Sequence, residues 1–410
     1  MQRFIGSLVA ALVVLTLPFV PSQAAPKQHG QTQVVTFNAN TTPAERRALA
    51  EKAGAVVVRE LPFVDGLEVE FHGMSPMAAM RLKSEPTVES VEPNAYHKWI
   101  QVGPALQAPL PPVAAALRSE APVPALGEGV QVAAESPSAG KAPWGIQRVK
   151  APAVWSRATG AGVKVAVIDT GVDGTHPDLA ANYAGGYNAV EPGAEQKDDH
   201  GHGTHVAGTI AGSGNEGKGA LGVAPRARLY GIKVLNAEGG GTNAVIVDGI
   251  AWAVNNGMKV INMSLGGPSS AVLRKAIQRA NAAGVIIVAA SGNDPEAPVS
   301  APASYPESIA VSASTSKDGL ADFSTTGPEV DFIAPGHEIV STWPGGKYAK
   351  LSGTSMASPH VAGLAVLAVS LGASTPDKVR ALLTRGAAPL TGLGENTQGA
   401  GFIEADRWLK

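Results

Sequence analysis

The spacing of apolar positions divides the chain into stretches of different texture. Residues 33–100 carry short β-type runs, "QVVTF", "GAVVVREL", "GLEVEF" and "VESVEP", separated by two helix signals. Thr42, Pro43 and Glu45 make a capping-box pattern with proline at the first helical position, and Gly54 follows the helix. Ser75 and Pro76 open a second helix through "PMAAMRLKSE". The order β-α-β-β-α-β predicts a small ferredoxin-like α+β unit. Residues 101–140 lose all sustained period and become rich in Pro, Ala and Gly, which predicts an extended linker; a short packed helix at "VAAALRSE" is the competing reading. From 141 to 410 strand-like runs return. "GVKVAVID", "RLYGIKVL", "MKVINMSL" and "GVIIVAAS" alternate with helical stretches such as "NAVIVDGIAWAVNNG" and "AVLRKAIQRANAAG". Apolar strands alternating with helices predict an α/β, doubly wound and mostly parallel sheet with helices on both faces. In such sheets, sites form beyond the carboxyl ends of the strands.

Composition narrows this picture. Of 410 residues, 44% are hydrophobic and 16% charged, enough for a large core and against global disorder. The net charge of −2 and the lack of a basic stripe argue against a nucleic-acid partner. Residues 1–24 read as a secretory signal peptide: Arg3, then "FIGSLVAALVVLTLPFV", then small residues at "SQA". A membrane anchor competes, against which stand Pro18 and Pro21 and the cleavage pattern. The later run "VAGLAVLAVSLG" is too short to span a bilayer, so the mature form is expected free of membrane. There is no cysteine, so disulfides, thiol catalysis and cysteine-ligated zinc are excluded.

Three segments place polar residues where chemistry could occur. "VAVIDTGVDGTHPDL" puts Asp169 at the end of a buried strand, where it could also be a turn or cap aspartate. "LSGTSMASPHVAG" puts Ser355 among small residues at the start of an apolar helix. Free N–H groups there favour developing negative charge, though a plain capping serine reads the same way. "VIIVAASGNDP" puts Asn293 just past a strand, as an amide donor or a turn residue. A fourth segment, "DDHGHGTHVAG", holds His200, His202 and His205 after Asp198 and Asp199. It reads either as a metal site or as the source of an acid–base histidine.

Together these stretches resemble the subtilisin-like serine proteases (subtilases). "VAVIDTGVD", "HGTHVAG", "LGVAP", "VINMSLGGPS", "AASGN" and "GTSMASPHVAG" occur in that family's order. The resemblance implies a catalytic triad in the order Asp, His, Ser, here Asp169, His202 and Ser355, with Asn293 and the Ser355 N–H as oxyanion donors. By position in the pattern His202 is the base, His205 packs or bonds locally, and His200 is a loop residue. The family also assigns two backbone edges to the substrate, Gly239-Gly240-Gly241 and Ser264-Leu265-Gly266. Ala289, Ala290 and Gly292 would line the pocket for the residue before the scissile bond. No acid stands among them, so broad specificity with an apolar or aromatic preference is expected.

The resemblance makes 33–100 a propeptide that assists folding and inhibits the protease in cis, its tail "EPNAYHKWI" entering the groove as a product-like strand. Some 40 residues separate that tail from "APWGIQRV", so the maturation site falls anywhere within 96–143. Calcium is implied as a structural ion, with Asp178 and Asn215 as ligands, and no catalytic cofactor. The whole reads as a secreted, monomeric serine endopeptidase acting on proteins and peptides and made as an autoprocessed zymogen, with periplasmic retention left open. A non-catalytic subtilase-like binding protein and a metal-dependent hydrolase are the competing functions.

Overall fold

The computed structural model describes residues 32–71, 76–100, 131–133, 142–214 and 219–409. The expected signal segment 1–24, Asn215 and most of the linker lie outside them. The small unit follows the expected order: β1 (Thr32–Phe37), α1 (Pro43–Lys52), β2 (Ala55–Leu61), β3 (Gly66–Phe71), α2 (Pro76–Lys83) and β4 (Val88–Pro93). Its sheet is ordered β2-β3-β1-β4 with antiparallel neighbours. The capping box at α1 forms: the Glu45 N–H donates to the Thr42 hydroxyl (3.3 Å), and Glu45 Oε2 accepts from the Thr42 N–H (2.7 Å).

The sheet separates two cores by the two-residue period of its strands. Val35 and Phe37 pack with Ala50, Leu67, Val69 and Leu82 under the unit's own helices. Val34 points the other way and joins a core shared with the large unit. Lys275 and Arg279 of the large unit pair with Glu89 and Asp65 of the small one, and two further side chains join the units at helix starts. The Glu92 carboxylate accepts from the Ser270 hydroxyl (2.6 Å) and the N–H groups of Ala271 (2.9 Å) and Val272 (3.0 Å). Asn94 Oδ1 accepts from the Ala244 N–H (3.1 Å). Both satisfy N–H groups that a helix start leaves without an internal partner. The chain then runs into a short strand, β5 (Tyr96–Lys98).

The linker is not wholly without secondary structure, as its composition suggested. Gln131–Ala133 forms a strand, β6. The large unit follows: α3 (Trp144–Arg148), β7 (Lys164–Asp169), β8 (Tyr183–Asn188), α4 (His202–Ala211), β9 (Arg228–Lys233), β10 (Gly240–Thr242) and α5 (Asn243–Asn255). Next come β11 (Val260–Met263), α6 (Ala271–Ala282), β12 (Ile286–Ala290), β13 (Ser308–Ser314), β14 (Val330–Pro335), β15 (Ile339–Trp343) and β16 (Lys347–Leu351). The chain closes with α7 (Thr354–Ser370), α8 (Pro376–Gly386), β17 (Ala387–Ala388), α9 (Glu395–Gln398) and β18 (Phe402–Ile403).

Nine strands form one sheet, β17-β18-β14-β13-β12-β11-β7-β9-β8, parallel except for the β17–β18 pair. Along β7, Val165 and Val167 face the core under α4 and α7, whereas Ala166 and Ile168 face the core under α5 and α6. The expected two-faced α/β sheet is therefore present. From β7 the chain moves outward to β8 and β9, then returns to β11 on the other side of β7. That reversal opens a crevice at the carboxyl end of β7, where Asp169 stands. Among the described residues no helix is long and apolar enough to cross a membrane.

Candidate active site

Asp169 ends β7, fully buried, and His202 opens α4. His202 Nδ1 lies 2.8 Å from Asp169 Oδ1 and 3.0 Å from Oδ2. With the Nδ1 proton held by the carboxylate, Nε2 is left as a base. Burial alone would lower the His202 pKa. The charge and hydrogen bond of Asp169 and the charge of Asp198 outweigh it and hold the ring above its ordinary 6.5.

The start of α4 is organised by a residue the sequence reading quoted but gave no role. Asp198 Oδ1 accepts from the Thr170 hydroxyl (2.8 Å) and the N–H groups of His200 (3.1 Å) and Gly201 (2.7 Å). Its Oδ2 accepts from the Thr204 N–H (2.8 Å) and hydroxyl (2.6 Å). Thr170 in turn donates its N–H to Asp169 Oδ1 (2.8 Å) and accepts the Gly203 N–H (3.0 Å). One buried carboxylate thus ties the helix carrying His202 to the strand end carrying Asp169. The signal was an acid just ahead of a helix, but Asp198 acts from three residues before the cap position Gly201. That glycine has φ 103°, and a Cβ there would come within 2.3 Å of the Trp343 ring.

The other two histidines do different work. His205 Nε2 bonds across to the carbonyls of Ile339 (3.0 Å) and Ala349 (3.1 Å), partners distant in sequence rather than the local ones expected. Burial first, then the neighbouring His202, pushes its pKa down to about 3, so it is neutral. His200 accepts the His202 N–H at Nδ1 (3.3 Å), and burial and His202 lower its pKa. No cluster of His, Asp and Glu suited to a metal exists among the described residues.

Ser355 sits in the first turn of α7, where its N–H has no intrahelical acceptor. Its hydroxyl donates to the Ser264 carbonyl (3.2 Å). Pro359 lies inside α7 and cannot donate to the Ser355 carbonyl four residues back; the Ser264 hydroxyl does so instead (2.8 Å). Asn293 Oδ1 accepts the N–H (2.8 Å) and hydroxyl (3.0 Å) of Thr354, so its side chain stands beside the start of α7.

The two edges named from sequence flank the tail of the small unit. β5 pairs antiparallel with β10, Gly240 opposite Lys98 and Gly241 opposite His97. The Gly239 carbonyl accepts the Trp99 N–H (3.0 Å), and the Gly266 N–H donates to the Trp99 carbonyl (3.0 Å). The Trp99 indole is buried against Gly267 and donates to the Gly241 carbonyl (2.9 Å). Ser264 and Leu265 follow β11 and are buried. Ala289 and Ala290 lie in β12, buried, and Gly292 bonds Thr354. Asp178 is fully buried. Its Oδ2 accepts from the Ala220 N–H (2.7 Å) and the Tyr348 hydroxyl (2.9 Å), while Oδ1 has no partner among the described residues.

The pattern of the Subtilase family matches residues 160–402. Subtilisin BL of Lederbergia lenta is 49% identical over 268 residues, covering 64% of this chain and 97% of its own. M-protease of Shouchella clausii (strain KSM-K16) is 49% identical over 268 residues, 64% of this chain and 69% of its own. Subtilisin E of Bacillus subtilis (strain 168) is 44% identical over 384 residues, 90% of this chain and 89% of its own.

Proposed function

The chain belongs to the subtilase family and is a serine endopeptidase, and from that premise we propose that Asp169, His202 and Ser355 are its triad. The carrying observation is the buried Asp169–His202 pair at the start of α4, a helix packed against α7, whose first turn carries Ser355. In catalysis that hydroxyl leaves the Ser264 carbonyl and turns to His202 Nε2. Such bonds are commonly unmade before substrate arrives. Ser355 Oγ bonds the peptide carbonyl carbon and its proton passes to His202, whose imidazolium Asp169 stabilises. The Ser355 N–H and the Asn293 amide receive the oxyanion; losing a donor of the Asn293 kind costs about 10²–10³ in turnover. His202 then protonates the leaving amine as the C–N bond breaks, and water repeats the sequence on the acyl-enzyme.

Substrate strands lie between Gly239–Gly241 and Ser264–Gly266, with Ala289, Ala290 and Gly292 at the pocket before the scissile bond. No acid stands there, which supports broad rather than dibasic specificity. The enzyme is secreted, and residues 33–100 are a propeptide. Support comes from β5 lying on Gly240–Thr242 and from the length of the match to Subtilisin E, too great to be confined to 160–402. A non-catalytic binding role is disfavoured by the intact Asp169–His202 pair. In a test, native precursor and Ser355→Ala are followed for chain length and casein hydrolysis. The native chain shortens and gains activity while the variant stays long and inert; a variant that cleaves casein as well as native overturns the triad.

A structural calcium ion fits Asp178: its buried Oδ1 lacks a partner among the described residues and faces Gly219, where a Cβ would meet it at 1.9 Å. Asn215 is the second proposed ligand. Chelator is expected to lower the melting temperature of Ser355→Ala, and an unmoved transition counts against the ion.

A further inference from the structure

We propose that Gln131–Ala133 is a clasp belonging to the working enzyme: a strand docked on the outer edge of β16 that stays when the small N-terminal unit is cut away. This rests on the zymogen reading, and it moves the mature start to or before Gln131.

Three observations carry it. First, β15 and β16 form a hairpin, and β6 closes the other side of β16, pairing Tyr348 with Ala133, Ala349 with Val132 and Lys350 with Gln131. Without β6 the outer backbone groups of β16 would be an open edge. That edge matters here, because β16 runs directly into Ser352–Ser355. Its Ala349 carbonyl holds His205, and its Tyr348 hydroxyl holds Asp178.

Second, the two docked segments sit on different walls. β5 pairs with β10 in one small sheet, and β6 with β16 in another. Release of the first does not require release of the second. The chain that follows the clasp is anchored at the same hairpin, since Trp144 Nε1 donates to the Glu338 carbonyl (3.3 Å).

Third, the direction is right. Because the pairing is antiparallel and Gln131 lies opposite Lys350, the amino end of the clasp faces the Ser355 end of β16. Peptide-bond hydrolysis on that side, water adding across the C–N bond to give a carboxylate and an amine, leaves the clasp attached to the catalytic unit.

The test is the amino-terminal sequence and intact mass of the self-processed enzyme. A first residue at or before Gln131 is expected; a start beyond Ala133 overturns the proposal. In parallel, Val132→Pro with Ala133→Pro is compared with its parent in the Ser355→Ala chain, which cannot digest itself. Adjacent N–H groups of a strand point to opposite sides, so one of the two prolines must remove a donor facing β16. The melting midpoint should fall by about 2–4 °C; an unchanged midpoint overturns the clasp. If native precursor never shortens, the zymogen reading is what fails, and the proline pair still decides whether β6 holds the hairpin.

Discussion

Asp198 shows how much the candidate site depends on a buried carboxylate behind it. Its two oxygens take donors from Thr170, His200, Gly201 and Thr204, and its charge helps to raise the pKa of His202. The groups facing His202 are Asp169, Asp198, His200 and His205. Removing the Asp198 charge in Asp198→Asn takes away a term that favours imidazolium, so the acid limb of kcat/KM should move to lower pH. Turnover should fall roughly tenfold as the Asp169–His202 geometry loosens. A variant that melts earlier with an unmoved acid limb would make Asp198 a folding residue only. In the native enzyme the limb should lie above 6.5, since the base must be neutral and its pKa is raised. The Asp169–His202 pair and the helix-start position of Ser355, on which the proposed triad rests, were legible in the sequence because the residue types are few and the segments sit at strand and helix ends. Asp198 was not, since nothing in the order "DDHGHGTH" separates a carboxylate that gathers five donors from its neighbour Asp199, which pairs with Lys233.

At the scale of the element, α7 carries a proline one turn beyond Ser355. Pro359 deprives the Ser355 carbonyl of its helical donor, and the Ser264 hydroxyl supplies another. Ser264→Ala should therefore cost about 1–3 kcal/mol, the penalty for a buried unsatisfied carbonyl. Pro359→Ala added to it restores a backbone N–H at that place, so the double variant should recover part of the loss. Thermal melts of the four chains of this cycle in a Ser355→Ala background check it, and strict additivity would show that the two residues do not share that carbonyl. The periodicity in the sequence was enough to locate α1, with its capping box, and the alternating strands and helices of the large sheet. It could not find β6, because three residues in a Pro/Ala/Gly-rich stretch carry no period; their conformation comes from the edge they meet.

For the molecule as a whole, two buried neutral histidines link stability to pH. His205 is pushed down to about 3 by burial and by His202, and His360 to about 4 by burial, against an ordinary 6.5. The unfolded chain takes up these protons first as pH falls, so stability is full above 6.5 and is lost progressively from there toward 4. Each contributes a slope of about 1.4 kcal/mol per pH unit. Melting of the Ser355→Ala chain across pH 4–8 checks this, and a flat profile would mean the rings are solvated. That two units dock on each other was implied in the sequence only by the family resemblance; contacts that do it, among them Glu92 and Asn94 at two helix starts and the Arg279–Asp65 and Lys275–Glu89 pairs, join residues far apart in the chain. The covalent connection behind β5 has a kinetic consequence. While the chain is whole, the strand on Gly240–Thr242 competes at an effective concentration of order millimolar. On the processing proposed above, one cut turns it into an ordinary solute. Its hold then depends on how far the two pieces are diluted, so on that proposal the same scission that frees nothing in a crowded compartment empties the Gly240–Thr242 edge once the pieces reach open fluid.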